Sequence, residues 1–234
     1  MMLLRKLSLA RLLRLVRPPT AFRRIYLLCP ACEKVFRSQK VISMSVGATR
    51  TDLYRRAAGK PPLAHLIHMC PTCGYSGAKE DFGEDVELSP TLKTRVQMEI
   101  TAVMPHGPAS GSEKYEAAAK IAEWEDGDPR RVADLLLRAA WCCVEEGDIE
   151  AERYFRRKAA WKFEEALRSF DGVAREERAV LTYLVAELWR RVGKAESAAE
   201  WFDRVAPEVV DARTQQWVID AARQQRDRPR EWLR

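Results

Sequence analysis

Glycine and proline are scarce in this chain, 11 and 12 of its 234 residues. That scarcity excludes a collagen-like or low-complexity polymer. No stretch of about eighteen uncharged apolar residues occurs, so the sequence offers no membrane-spanning helix. Six cysteines are too few to staple a chain of this length by disulfides. Gly-rich phosphate loops and nucleophile–base–acid arrangements do not stand out either, which argues against an enzyme. What remains is 47% apolar and 32% charged, enough for one large domain or two small ones with a sizeable core.

The net charge of +6 is unevenly placed. Residues 1–24 carry Arg5, Lys6, Arg11, Arg14, Arg17, Arg23 and Arg24 with no acid, and the chain beyond them is nearly neutral. A basic residue breaks every apolar run in this segment after at most four residues, unlike a secretory signal. It reads as a basic extension ended by Pro18–Pro19. Contact with an acidic membrane surface is the alternative, and a cytoplasmic location is expected.

Residues 25–104 hold four of the cysteines and several turn signals. Alternation of Ile42, Met44 and Val46 with serines predicts a half-buried strand over Lys40–Val46, and Leu63–Cys70 reads as extended. Ser89–Pro90 supplies a cap and first turn for a helix over Thr91–Thr101. A Pro-, Gly- and Ser-rich linker at 105–112 follows. From there to about 226 the composition turns to Ala, Leu, Glu, Arg and Trp at helical spacing, leaving a tail at 227–234. Helices are expected near 113–125, 129–146, 149–170, 174–192, 194–206 and 208–225. Asp128–Pro129 caps one start, while Gly147, Gly172 and Gly193 mark ends that need positive φ. Counted from Gly193, Ala198 and Phe202 fall at the small and aromatic positions of a tetratricopeptide repeat. Around Gly147–Asp148, Ala151 and Phe155 arrive one residue early. The fold class expected is therefore α+β, mainly α. A small zinc-ribbon-like module precedes a tetratricopeptide-like stack of helical hairpins, with an ordinary helical bundle as the alternative, and the part from about Gly111 onward is expected to fold as helix without zinc.

The sharpest motif is a pair of knuckles, Cys29-Pro-Ala-Cys32 and Cys70-Pro-Thr-Cys73-Gly74. A CxxC turn offers two thiolates to one ion, and two such turns complete a tetrahedral Zn²⁺ site. Cys29, Cys32, Cys70 and Cys73 are the expected ligands of one structural zinc. Redox chemistry would need a single reactive pair at a helix N-terminus, and neither knuckle leads into an amphipathic helix. His65 and His68 read as strand or surface residues, His106 lies in the linker, and Cys142 and Cys143 read as small core residues.

The run Leu28–Cys32, then Thr51-Asp52-Leu53-Tyr54, then Pro62 leading to Met69–Tyr75, resembles the bacterial family called domain of unknown function 2225. That resemblance implies a zinc-ribbon-like head, a tetratricopeptide-like helical part and metal cysteines at the four positions above. It covers roughly residues 25–206. Glu33 departs from the pattern, because a glycine commonly follows the first knuckle, and this bears on N–H···S geometry there. The family implies no activity.

Two functions fit the chain. One is a protein-interaction adaptor whose helical groove binds an acidic segment through Arg138, Glu187, Arg190 and Arg191, non-core positions of the helices at 129–146 and 174–192. The alternative is a nucleic-acid-binding zinc-ribbon regulator using the basic stretch 34–60. Residues 33–60 hold Lys34, Arg37, Lys40, Arg50, Arg55, Arg56 and Lys60 against Glu33 and Asp52, with Phe36 and Tyr54 placed to stack on bases.

Overall fold

The computed structural model describes residues 20–104, 107–125, 127–169 and 172–233. The readings made of residues 1–19 and of His106 lie outside the described residues. Short antiparallel strand pairs precede a run of helices, so the fold is α+β and mainly α. No helix among the described residues is long and apolar enough to cross a membrane.

Strand β1 (Ala21–Leu28) pairs with β2 (Val35–Ser43) across the first knuckle. The β3–β4 hairpin joins Val46–Thr49 to Arg55–Ala57, and β5 (His68–Met69) pairs with β6 (Ser76–Gly77) across the second knuckle. Three departures from the sequence reading follow from this pairing. Phe22, Arg23 and Arg24, assigned to the basic extension, are strand residues because β2 supplies partners for each of them. The strand expected over Lys40–Val46 breaks after Ser43, leaving Ile42 and Met44 each 50% exposed. Leu63–Cys70 opens as a 3-10 turn at Leu63–His65, which buries Leu63 and Ile67, and only His68–Met69 is extended.

Helix α1 (Pro90–Arg95) starts where Leu92 N donates to Ser89 Oγ at 3.2 Å, and a π turn at Val96–Ile100 continues it. The helical run is α2 (Gly111–Glu125), α3 (Pro129–Glu146), α4 (Ile149–Arg168), α5 (Arg175–Arg191), α6 (Ala195–Asp203) and α7 (Ala212–Asp227). Asp128 accepts from Arg130 N at the head of α3, and Gly147 (φ 79°) and Gly193 (φ 83°) end α3 and the turn after α5 in the left-handed conformation. Gly172 does not adopt positive φ. A close approach requires a glycine there, since a Cβ would stand 2.6 Å from the Ala166 carbonyl oxygen. Ala198 and Phe202 pack inward from α6, with the Phe202 ring 6.0 Å from that of Tyr183 on α5.

Head and helices share their cores. Ala117 and Ile121 of α2 pack into the head cluster with Leu27, Phe36, Tyr75, Phe82 and Val96. In exchange Tyr54, Leu63 and Ile67 enter the helical cluster. The β3–β4 hairpin therefore belongs by packing to the helices, and the two modules interlock instead of meeting at a linker. The expected linker narrows as well, since Gly111 already starts α2 and its N–H donates to Glu146 Oε1 at 2.9 Å. Of the residues 227–234 read as a tail, the described ones are also tied down: Leu233 N donates to Thr49 O, Thr51 N to Glu231 O, and Trp232 bridges Arg50.

Candidate metal centre

The two knuckles fold the same way. In the first, Glu33 N donates to Cys29 O at 2.8 Å and Cys29 N to Lys34 O at 3.1 Å. In the second, Gly74 N donates to Cys70 O at 2.8 Å and Cys70 N to Tyr75 O at 2.9 Å. Both turns need a left-handed residue at their fourth step after the first cysteine, taken by Glu33 (φ 57°) and Gly74 (φ 75°). The departure at Glu33 thus leaves the turn unchanged. At Gly74, any Cβ would also stand 2.6 Å from Ile100 Cγ2 and 2.9 Å from Met104 Sδ. Gly74→Ala is expected to destabilise the head by about 2 kcal/mol or more, from strain and overpacking together. Glu33→Gly, relieving strain at the matching position, should fall within about 1 kcal/mol of wild type. Denaturant melts of both variants check the contrast.

The knuckles face one another across the β1–β2 and β5–β6 turns, and their four sulfurs all lie within 4.8 Å of one another. Cys29 Sγ is 3.6 Å from Cys73 Sγ, and Cys32 Sγ is 3.6 Å from Cys70 Sγ. A tetrahedral ion with metal–sulfur bonds of about 2.3 Å needs sulfurs about 3.8 Å apart, so the donor set fits one ion. All four thiols are free, and Cys29 and Cys70 are wholly buried. A hydrogen bond to Cys70 and burial push the Cys29 thiol up, and hydrogen bonds to Cys29 and Cys70 together with burial push the Cys73 thiol up. Cys70 is held well down by hydrogen bonds from Cys29 and Cys73. Four thiolates packed this closely would repel one another. A dication is what allows all four to ionise together. Tyr75 and Phe36 pack edge-on against Phe82, each ring 5.4 Å away, and close the apolar side of the head.

A family model described as an uncharacterized protein conserved in bacteria (DUF2225) matches residues 24–228. The chain belongs to this family. Neither a curated protein nor a solved structure matches it. The family match spans both the head and the helices, in keeping with their shared cores.

The remaining sequence candidates are scattered. His65 packs at a tilt against Phe22 with ring centroids 4.4 Å apart, and His68 Nδ1 pairs with Ser38 Oγ at 2.8 Å. Neither belongs to the sulfur cluster, and burial pushes His68 down to about 4. Cys142 and Cys143 are buried in the helical core, where desolvation raises both thiols. Of the expected groove residues, Arg138 is exposed on α3. Glu187 is not a surface position: it is wholly buried, accepting from Arg190 Nε at 2.8 Å, from Arg191 Nε at 2.7 Å and from Thr51 Oγ1 at 2.6 Å. Arg191 also reaches Glu231, so both arginines are occupied by acids of their own chain. Arg55, Arg56 and Lys60 are exposed, but Arg50 is buried and pairs with Glu231 at 2.6 Å. Phe36 and Tyr54 are buried too, so neither is placed to stack on a base.

Sequence reasoning missed the partner of Asp52. Its carboxylate accepts from Arg156 Nη1 at 2.7 Å and from Trp141 Nε1 at 3.1 Å, and both ion-pair side chains are fully buried. The signal was available: Arg156 lies three, four and seven residues before Ala159, Ala160 and Phe163, a charge on the buried stripe of α4.

Proposed function

We propose that this chain is a protein-interaction adaptor braced by one structural zinc ion rather than an enzyme. Four convergent thiolates in a closed tetrahedral set suit zinc over hard cations, and a closed set keeps no position for a reacting water. Free thiols throughout fit a reducing, cytoplasmic setting.

The observation that carries the adaptor reading is a cleft of about 390 Å³ built jointly by the head and the first helical hairpin. Tyr115 and Ala118 of α2 floor it, Ser76–Ala78 form one wall, and the exposed Arg138 stands on the other. Arg130 also lines it, and its buried Nη1 has no hydrogen-bond partner among the described residues. Asp81, Glu125, Asp128 and Asp134 line the cleft as well, and Arg130 already pairs with Asp134 and Glu177, which leaves its Nη1, beside the exposed Arg138, to meet a carboxylate arriving from outside. The favoured ligand is a short acidic peptide segment.

Panning a random peptide display on the zinc-loaded chain tests this. Acidic peptides should be enriched, and Arg138→Glu should weaken their binding about tenfold, the scale of one charge-assisted hydrogen bond. Arg55→Glu should leave it unchanged. No enrichment, or enriched peptides that ignore Arg138→Glu, would contradict the reading.

A further inference from the structure

The β1–β2 ribbon carries Arg23, Arg24, Arg37 and Lys40 and no acid on either strand. Register sorts these side chains by face. Leu27 pairs with Phe36, and both are buried. On the opposite face Arg24 pairs with Gln39 and Tyr26 with Arg37. Tyr26 is 73% exposed, an unusual position for a tyrosine flanked by arginines. The same face runs into a cleft of about 340 Å³ lined by Arg24, Arg37, Gln39, His65 and Lys114, with no carboxylate in its lining. Lys114 is half-buried there, and its ammonium donates to the Ala64 carbonyl oxygen at 3.1 Å. The exposed acids of the head, including Glu80, Glu84 and Glu87, lie outside this cleft lining.

We infer that this face binds single-stranded nucleic acid, with Arg24, Arg37 and Lys114 holding phosphates and Tyr26 stacking on a base. A row of cations without an acid is complementary to a polyanion. An exposed aromatic between the cations is what distinguishes bases from other polyanions, because every base has a face to stack. The surface shares no residue with the cleft proposed for a peptide, so the two readings stand or fall separately. It also differs from the stretch singled out in the sequence: Tyr26 and Arg24 replace the buried Tyr54, Phe36 and Arg50.

Fluorescence anisotropy of the full zinc-loaded chain with a labelled single strand of about twelve nucleotides tests the inference. Wild type should bind with strong salt dependence, and Arg24→Glu with Arg37→Glu should weaken binding tenfold or more. With Arg24→Gln and Arg37→Gln, the salt slope should fall by about 1.4, the value for two lost single-strand phosphate contacts. Tyr26→Ala, at an exposed position that does not threaten folding, should weaken binding about fivefold or more. Retained zinc and unchanged circular dichroism show that the arginine variants are folded. Three results would overturn the inference: no binding by wild type, binding that survives both the arginine and the tyrosine changes, or inorganic polyphosphate binding as tightly with Tyr26→Ala silent. Vesicles of anionic lipid captured in preference to the oligonucleotide would overturn it as well, pointing instead to the basic residues before Thr20.

Discussion

A Cys70→Ser chain is expected to lose its metal and the ordered structure of the head. Cys70 is one of the four clustered sulfurs that could hold a metal ion, is wholly buried, and anchors the turn that pairs β5 with β6. Structural zinc in small domains contributes on the order of 10–16 kcal/mol of apparent binding energy, more than the net stability of most domains. The three two-stranded sheets among the described residues cannot replace it, since isolated strand pairs are marginal in water. The damage should reach beyond the head, because Ala117 and Ile121 of α2 pack into the cluster that the knuckles hold together. Metal analysis, near-ultraviolet circular dichroism and limited proteolysis should change together. Cys142→Ser, in the helical core, should lower stability and leave the metal content intact.

The second large effect is expected at Asp52. Asp52→Ala leaves the fully buried Arg156 guanidinium without its carboxylate, and breaking such a pair costs about 3–5 kcal/mol. Glu152 still holds Arg156 Nε at 2.8 Å, which places the loss toward the lower end. Asp52 Oδ1 and Arg156 Nη2 make no hydrogen bond among the described residues, so the pair is incompletely satisfied. An apolar exchange of both, Asp52→Leu with Arg156→Met, should therefore recover much of the loss. Chemical denaturation of the single and double variants measures this.

The same carboxylate gives the stability a pH dependence. Burial alone would raise its pKa, but Arg156, Arg191 and Arg50 outweigh burial and hold it below the ordinary value of 3.8. Its contribution is fully present above the unfolded pKa and is lost as the pH falls through the lower folded one. Asp52→Asn should flatten the acid limb of the stability curve and leave its shape near neutrality unchanged. A fragment beginning at Gly111 lacks Thr51, Asp52 and Tyr54, which the helices enclose. It is expected to be less stable than the helices of the full chain.

The cysteine spacing was enough to find the sulfur cluster, because a CxxC turn fixes its own two sulfurs locally and two matching turns suit one ion. Helix starts and ends were legible for a similar reason: Ser89, Asp128, Gly147 and Gly193 act within a few residues of their own backbone. What escaped was set at long range. The periodicity of α5 is apolar nearly all round, and nothing local tells that Glu187 faces a hairpin carrying Thr51. Strand β1 was hidden by the basic composition of the segment before it, although Ile25 and Leu27 alternate with Arg24, Tyr26 and Leu28. Thr51-Asp52-Leu53-Tyr54 was visible as a motif, and its physical reason emerged only with α3, α4 and α5 around it. Asp52 meets Arg156 and Trp141, Tyr54 hydrogen-bonds Glu145, and Tyr183 Oη donates to Thr51 O at 2.7 Å.

X-ray absorption at the zinc edge of the full chain, with the metal-to-protein ratio measured on the same sample, tests the central claim most directly. One zinc per chain with four sulfur scatterers at about 2.3 Å, and no nitrogen or oxygen neighbour, is the expected result. A chain that binds no zinc, or a zinc with a water or histidine in place of one of the four sulfurs, would contradict the closed structural site proposed for the four cysteines.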